Sequence, residues 1–493
     1  MAIRHVGPFV DGRELKEGGA GFADVVNPAT GELIARQACC DAACVDQIAR
    51  SSERAFHSAE WRRIAAPDRG RILSKLADLI EQRAEELIEL ELIDVGKPIA
   101  QLRGEIALTA SIVRFYAGAA DKIEGAVKST EGGCFYLTTY EPYGVVAGIL
   151  PWNYPLVNAA LKVPPAIAAG NAIVLKPSVE TPLTTVALAK LCLEAGLPKG
   201  IVNVVLGSGS SAGNALVAHP AVRKISFTGS TEVGRSIQKL AADRMKMVNL
   251  ELGGKNAIIV FADADLERAA QAAAISAYVN CGQLCVACSR LLVEDSVADK
   301  FLDLLAAKVA RIRVGDPRDE KTLVGPMITK AQYQTALQYI ESARGEGAKV
   351  LCGGGKLKMP GALKNGFWLQ PTLLADVKPG MKVHDEEIFG PALSAVRFSG
   401  EEEAIRISNS VEYGLSGSVW TANLERALRM IKALDTGIIW VNTMLTGYPQ
   451  IPVPPRKMSG TGVELGMEGL LAYCKRKSAM IGYDDKAPVG WGL

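Results

Sequence analysis

Between residues 144 and 261 the chain alternates short β-rich runs with stretches of helical period, and no other feature limits its fold as much. The β-rich runs are 144–150, 172–175, 202–206, 224–227 and 257–261; the segments between them, 156–169, 182–195, 211–218 and 231–242, read as helices. Strands and helices alternating at this rhythm pair in parallel, because each helix carries the chain back across the sheet. The pattern predicts an α/β, doubly wound sheet. Ligands of such sheets bind beyond the carboxyl ends of the strands, where the glycine-rich turns of this chain fall.

A chain of 493 residues is too long for one ordinary core, so two or three domains are expected. Apolar residues recur at helical spacing over 68–94, between Pro67 and the stop signal Gly96-Lys97-Pro98, and again over 105–120. From Asp265 a second alternation begins, with helices at 266–280 and 298–311 and strands at 417–420 and 438–441. Residues 123–143 read as a hairpin outside either core. The polar tail 475–493, with Trp491, reads as an appendage that pairs with another subunit or as a frayed tail.

The net charge of +2, with no basic run, excludes an electrostatic footprint for nucleic acid. The most apolar stretch, 145–175, is broken by Asn153, Lys162 and four prolines and cannot span a membrane. Nothing near Met1 resembles a signal peptide, and ten cysteines are too sparse for a disulfide scaffold. The expected location is the cytoplasm. Cys285-Val286-Ala287-Cys288 is formally a CxxC pair, but no second pair at similar spacing accompanies it, so no metal is expected.

The chemistry concentrates on two residues. Cys285 can form a covalent adduct with a carbonyl, and Glu251, in Glu251-Leu252-Gly253-Gly254-Lys255, can activate the water that releases the product. Only four histidines occur, so a Cys/His dyad has few candidates. Asn153, held between Pro151 and Pro155 at a strand end, can aim an N–H donor at a developing oxyanion. Two turns, 207–213 (with Gly209 and Gly213) and 227–234 (with Phe227, Gly229, Ser230 and Val233), follow strands and open helices, an arrangement that favours an anion. Each turn is also how any α/β domain joins its elements.

Eight motifs in order carry a resemblance to the aldehyde dehydrogenase superfamily over essentially the whole chain. They are Asn27-Pro28-Ala29-Thr30-Gly31-Glu32, 151–155, Lys176-Pro177-Ser178, 227–230, 251–255, Gly282-Gln283-Leu284-Cys285, Glu387-Ile388-Phe389-Gly390-Pro391 and Lys457-Met458-Ser459-Gly460. The chain resembles a hydrolytic, NAD(P)-dependent member, similar overall to betaine aldehyde dehydrogenases. The resemblance implies a Rossmann-like cofactor domain (1–122 and 144–254), a second α/β catalytic domain (255–458) and a small β oligomerisation arm (123–143 and 475–493). It implies a homodimer or homotetramer acting on a small-molecule aldehyde.

The same resemblance assigns roles. Cys285 would be the nucleophile, with its oxyanion held by Asn153 and the Cys285 N–H. Glu251 would activate the hydrolytic water, with Lys162 and Glu464 relaying protons behind it. Lys176 would meet the adenine ribose, Ser230 the pyrophosphate and Glu387 the nicotinamide ribose. Trp152 and Phe389 would line the cofactor cleft, and Ser178, Gly209, Gly213, Phe227, Gly229, Val233 and Leu252 complete the set. Tyr154, Leu161, Leu284, Val286 and Val453 would shape the substrate pocket. Two other readings are an acylating enzyme that passes its thioester to coenzyme A, and a non-catalytic descendant of the fold. Glu251 argues against the first, and Cys285, Asn153 and Glu251 together argue against the second.

Three departures matter. Val179 stands where the family's Lys-Pro-Ser-Glu motif has Glu, with Glu180 one place later. NAD⁺ is favoured, and NADP⁺ is expected to be tolerated because Val179 cannot repel a 2′-phosphate. The pocket positions Leu161, Gly447 and Val453 are not aromatic and leave only Tyr154, which argues for an aliphatic aldehyde or a bulkier semialdehyde over a quaternary ammonium one. No Arg or Lys stands at an obvious position for a substrate carboxylate, with Arg290 and Arg456 left open. Finally, Pro452-Val453-Pro454-Pro455-Arg456 replaces the family's Pro-Phe-Gly-Gly, and Val463 replaces the usual Arg before Glu464. Two prolines for two glycines require a stiffer loop.

Overall fold

The computed structural model describes residues 3–129, 133–485 and 487. Its first sheet has eight strands, in the order Gly460–Thr461, Met247–Glu251, Val222–Thr228, Val145–Ile149, Ala172–Lys176, Val202–Val204, Phe9–Val10 and Arg13–Glu14. The five strands from Met247–Glu251 to Val202–Val204 are parallel. Side chains alternate between the two faces as a doubly wound sheet requires. Val146, Ile173 and Leu175 pack with the helices Pro155–Ala168 and Leu183–Ala195. Val145, Ala147, Ile149 and Val174 pack on the other side with Ala42–His57, Asn214–Ala218 and Thr231–Ala242. Val145–Ile149, first of the parallel series in the chain, lies beside Val222–Thr228 in the middle of the sheet. Chain order reverses there and opens a crevice at the strand ends.

The second sheet has seven strands, ordered Lys349–Cys352, Thr372–Ala375, Ala392–Phe398, Arg290–Glu294, Ala257–Val260, Ser416–Trp420 and Ile438–Val441. All pairings are parallel except that of the edge strand Lys349–Cys352. Residues 257–260, read from the sequence as the last strand of the first series, are therefore central to the second sheet. The strand that closes the parallel series of the first sheet is Met247–Glu251, which carries Asn249 and Glu251 and gave no apolar run to read. Leu252–Asn256 is then the crossover between sheets. The chain returns at Gly460–Thr461 to pair antiparallel with Leu250 and Glu251.

The helical stretch read over 68–94 is two helices, Ala66–Gln82 and Ala84–Asp94, separated at Arg83 (φ −102°, ψ 20°). The hairpin Ala126–Ser129/Cys134–Pro142 pairs with Cys474–Gly482 in a third, antiparallel sheet. Trp491 lies outside the described residues. Among the described residues no helix is long and apolar enough to cross a membrane, and no cluster of His, Cys, Asp and Glu could hold a metal ion.

Candidate active site

Cys285 follows the helix Leu266–Tyr278, whose amphipathic run ends in a tight turn over Val279–Gly282. Asn280, Cys281 and Gly282 all adopt left-handed backbone (φ 48°, 56° and 70°). Conformations of this kind cost about 1 kcal/mol or more for non-glycine residues and persist only where surrounding contacts enforce them. Here side-chain amides supply the contacts. Asn280 Nδ2 donates to the Asn153 carbonyl at 3.1 Å and to the Gln283 carbonyl at 3.1 Å. Asn153 Nδ2 donates to that same Gln283 carbonyl at 2.9 Å, and Gln283 Oε1 accepts from the Ile328 N–H at 2.9 Å. From the other side, Asn256 Nδ2 donates to the carbonyls of Cys285 (2.7 Å) and Ala287 (2.9 Å).

Asn153 thus sits beside the segment that presents Cys285, with one of its two N–H donors engaged there. Asn280, Gln283 and Asn256 are the site residues that sequence reasoning missed. Asn280, just past the last periodic residue of a helix and two before Gly282, is the one local signal. Cys285 itself is half-buried. Burial first, and then the Glu387 and Glu251 carboxylates, push its thiol up to about 12. The sulfurs of Cys281 and Cys288 lie in the core against Met327 (3.5 Å) and Met444 (3.8 Å).

Glu251 ends the strand Met247–Glu251 and is buried. Burial, and secondarily the Glu464 carboxylate, hold it well above the ordinary carboxylate range against the opposing Lys162 ammonium. Its Oε1 has no hydrogen-bond partner among the described residues. Lys162 Nζ, fully buried on the helix Pro155–Ala168, reaches Glu464 Oε1 at 2.6 Å and Thr228 Oγ1 at 2.8 Å. Thr228 is the cross-strand partner of Glu251. The stiff 452–456 segment pairs with Glu464: the Val453 N–H donates to the Glu464 carbonyl at 2.7 Å.

The residues expected at a dinucleotide form a second group. Glu387 Oε1 accepts from the Gly254 N–H at 2.8 Å, and a Cβ on Gly253 would stand 2.2 Å from Glu387 Oε2. Only glycine lets the carboxylate come so close. Burial lifts Glu387 to about 7 against the Gly254 N–H and Lys255. The Phe389 and Trp152 rings meet edge to face at 5.3 Å. Lys176 Nζ donates to the Pro177 carbonyl at 2.8 Å, and burial lowers it to about 8. Gly213 packs against the Lys176 stem, and Gly209 has open space where a side chain would be.

Ser230 caps the helix Thr231–Ala242 by accepting the Val233 N–H at 3.3 Å, while the Val233 side chain is exposed. The Gly229 N–H donates to the Glu251 carbonyl at 3.0 Å. Phe227 and Leu252, in contrast, are packed into the core, so their side chains support the turn from below. Ser178 Oγ hydrogen-bonds the Glu180 carboxylate, and Val179 offers its carbonyl to Gln37 Nε2 at 2.5 Å.

In the pocket group, Leu161, Leu284, Val286 and Val453 are half-buried. Lys97 Nζ lies 3.5 Å from the Tyr154 ring centroid and bonds Glu105 Oε2 at 2.6 Å. Arg290 is buried and donates to the carbonyls of Lys255, Ile407 and Ser408 at 2.9 Å each, so it is not available to a substrate carboxylate. Arg456 is exposed and 3.4 Å from Asp435. A cavity of about 540 Å³ lies elsewhere, between Arg4–Val6 and the helices Ala84–Asp94 and Leu183–Ala195, and none of these site residues lines it.

Residues 16–479 match the model of the aldehyde dehydrogenase family. A mitochondrial aldehyde dehydrogenase of Mesocricetus auratus is 42% identical over 464 residues, covering 94% of this chain and 92% of its own. The crystal structure of an NAD-dependent aldehyde dehydrogenase from Sinorhizobium meliloti superposes with a TM-score of 0.96 at 38% identity, over 100% of this chain and 97% of that one. Betaine aldehyde dehydrogenase from Staphylococcus aureus, in complex with NAD⁺, gives 0.96 at 35% identity, over 99% and 97%. Near-complete coverage in sequence and in space leaves no part of the fold unaccounted for: the chain belongs to the aldehyde dehydrogenase family.

Proposed function

We propose that the protein oxidises aliphatic aldehydes to carboxylic acids through a covalent adduct on Cys285. The observation that carries this reading is the arrangement at the sheet junction: a cysteine whose carbonyl is held by Asn256, on a segment whose Gln283 carbonyl is held by Asn280 and Asn153, and a buried Glu251 with an uncommitted oxygen whose carboxyl acts on the Cys285 thiol. The Cys285 thiolate adds to the carbonyl carbon. The developing oxyanion is held by the Cys285 N–H and the second Asn153 N–H. A nicotinamide dinucleotide, when bound, supplies the hydride acceptor that turns this adduct into a thioester. Glu251 then takes a proton from the water that attacks the thioester, and the Lys162–Glu464 pair gives that proton an onward path.

The residues fit such a cofactor. Gly253 and Gly254 leave room for Glu387, whose free oxygen can grip ribose hydroxyls, and the helix openings at Gly209 and Ser230 favour phosphates. Lys176 would hold the adenine ribose. NAD⁺ is the favoured cofactor in this reading, with NADP⁺ tolerated. Glu180 bears on that balance, because its carboxylate folds back onto Ser178 and stands near Lys176. In Glu180→Gln, the ratio of kcat/KM for NADP⁺ to that for NAD⁺ is expected to rise about two- to fivefold, the worth of one half-exposed charge contact.

Tyr154 is the one aromatic residue assigned to the pocket, and a face of its ring already carries the Lys97 ammonium. That supports aliphatic aldehydes over quaternary ammonium ones. A screen of aliphatic, aromatic, amino and carboxylated aldehydes with both cofactors, following reduced cofactor and acid, tests the reading. Oxidation of none, or products that appear only as coenzyme A thioesters, would sink it.

The acid–base groups set the pH dependence. Both Cys285 and Glu251 are held protonated by burial and must lose their protons to act. Activity is therefore expected to rise with pH above neutrality toward the Cys285 value of about 12, and a profile flat from neutral to alkaline pH would contradict the assignment.

The assembly is proposed to be a homodimer or homotetramer built through the third sheet, which leaves Val127, Met480, Ile481 and Tyr483 exposed. Val127 and Ile481 fall on one face of that sheet and Met480 on the other, and exposed apolar side chains on such a sheet favour a protein partner. Met480→Asp is expected to shift the protein toward monomer in light scattering without lowering secondary-structure content. The sparse cysteines of the chain support a cytoplasmic location.

A further inference from the structure

Three cysteines outside the catalytic group cluster just beyond the strand Val202–Val204 of the first sheet. Cys39 and Cys40 end the strand Leu33–Cys40, and Cys44 lies in the first turn of the helix Ala42–His57. Asp41 caps that helix by accepting the Cys44 N–H at 2.8 Å. The cap turns the chain so that Cys44 Sγ lies 3.0 Å from Cys40 Sγ, with both residues buried. A disulfide needs an S–S separation of about 2.05 Å, so closing this pair asks for a shift of roughly 1 Å.

We propose that Cys40 and Cys44 form a reversible intrachain disulfide on reaction with a hydroperoxide, and that this bond alters cofactor affinity through the neighbouring Gly207–Gly213 turn. The direction of reaction follows from position. Thiolates are favoured at helix N-termini, and the hydrogen bond shared with Cys40 holds the Cys44 thiol below its ordinary value against burial and the Asp41 carboxylate. Cys44 sulfur attacks one peroxide oxygen and the O–O bond breaks, giving a sulfenic acid on Cys44 and releasing water or an alcohol. Cys40 sulfur then attacks Cys44 sulfur, the S–O bond breaks, and the departing oxygen leaves as water with the Cys40 proton. Two thiols lose two electrons and two protons, and the hydroperoxide is reduced.

The link to the turn is direct. The Cys40 N–H donates to the Leu206 carbonyl at 2.9 Å, and a Cβ on Gly207 would come 3.4 Å from the Cys40 nitrogen and 3.5 Å from the Cys39 Cβ. Movement of the strand end must pass into the turn that follows Leu206. This second half rests on the assignment of that turn to the cofactor; the disulfide does not.

The test uses full-length Cys285→Ala, which removes oxidation of the nucleophile from the result. After treatment with hydrogen peroxide and then an alkylating agent, trypsin places Cys39, Cys40 and Cys44 in one peptide, residues 37–50. That peptide should carry one alkyl group in place of three, placed on Cys39 by fragmentation, and cleavage before Asp41 should leave Cys44 joined to the 37–40 fragment; an alkyl group on Cys40 in place of Cys39 overturns the proposal. Alkylation of all three cysteines, or a Cys39–Cys40 bond with Cys44 alkylated, overturns the proposal. The Kd for NAD⁺, read by fluorescence on the same sample, should change on oxidation, return with dithiothreitol, and stay constant when Cys40→Ser is added. A mapped Cys40–Cys44 bond with unchanged Kd overturns the coupling.

Discussion

Cys285→Ala is expected to lower kcat for aldehyde oxidation by at least about 10⁴-fold, while thermal unfolding and NAD⁺ binding stay near the parent values. The size of the effect follows from what no other side chain nearby can do. Cys281 and Cys288 face Met327 and Met444 in the core and cannot turn toward the carbonyl without unpacking it. Fold integrity should survive, because the clamp acts through backbone and amide atoms of residues 153, 256, 280 and 283 and not through the Cys285 sulfur. Activity retained within about tenfold of the parent would remove Cys285 as nucleophile.

Glu251→Gln should produce a different failure. The adduct can form and be oxidised, yet no base remains to activate water. The expected result is a burst of reduced cofactor approaching one per active site, then a steady rate about 10²- to 10⁴-fold below the parent. Mass spectrometry of the stalled protein should find the acyl group on Cys285. Glutamine keeps the volume and removes the titratable carboxyl, so the Lys162–Glu464 pair should persist. A slow rate with no burst would place the loss before hydrolysis and refute the role given to Glu251.

Both residues could be picked from the sequence, though for unequal physical reasons. Cys285 and Asn153 lie at the ends of elements whose periodicity was readable, the helix over 266–278 and the strand over 145–149. Glu251 lies on a strand whose Asn and Glu obscure any apolar run, so the motif was visible and its placement in the first sheet was not. The amide clamp was hidden altogether. Asn256, Asn280 and Gln283 act through carbonyls far along the chain, and such pairings carry no local signature. Glu180 shows the opposite limit. Substitution at 179 suggested a lost charge, but a turn let the next residue return a carboxylate to Ser178. The double proline at 454–455 suggested only a stiffer loop, and the structure adds that this loop pairs with Glu464.

Gly460–Thr461 sets the order in which the molecule can be completed. The last two residues of the strand that ends in Glu251 are paired on their outer edge by residues 460–461, made more than two hundred positions later. A nascent chain halted short of Gly460 presents that edge bare, with backbone N–H and C=O groups able to pair with any passing strand. Vectorial synthesis therefore leaves the first sheet waiting on the rest of the polypeptide. Fragments ending before residue 460 should be chaperone clients, and genetic splitting of the protein would have to keep 460–461 with residues 247–251.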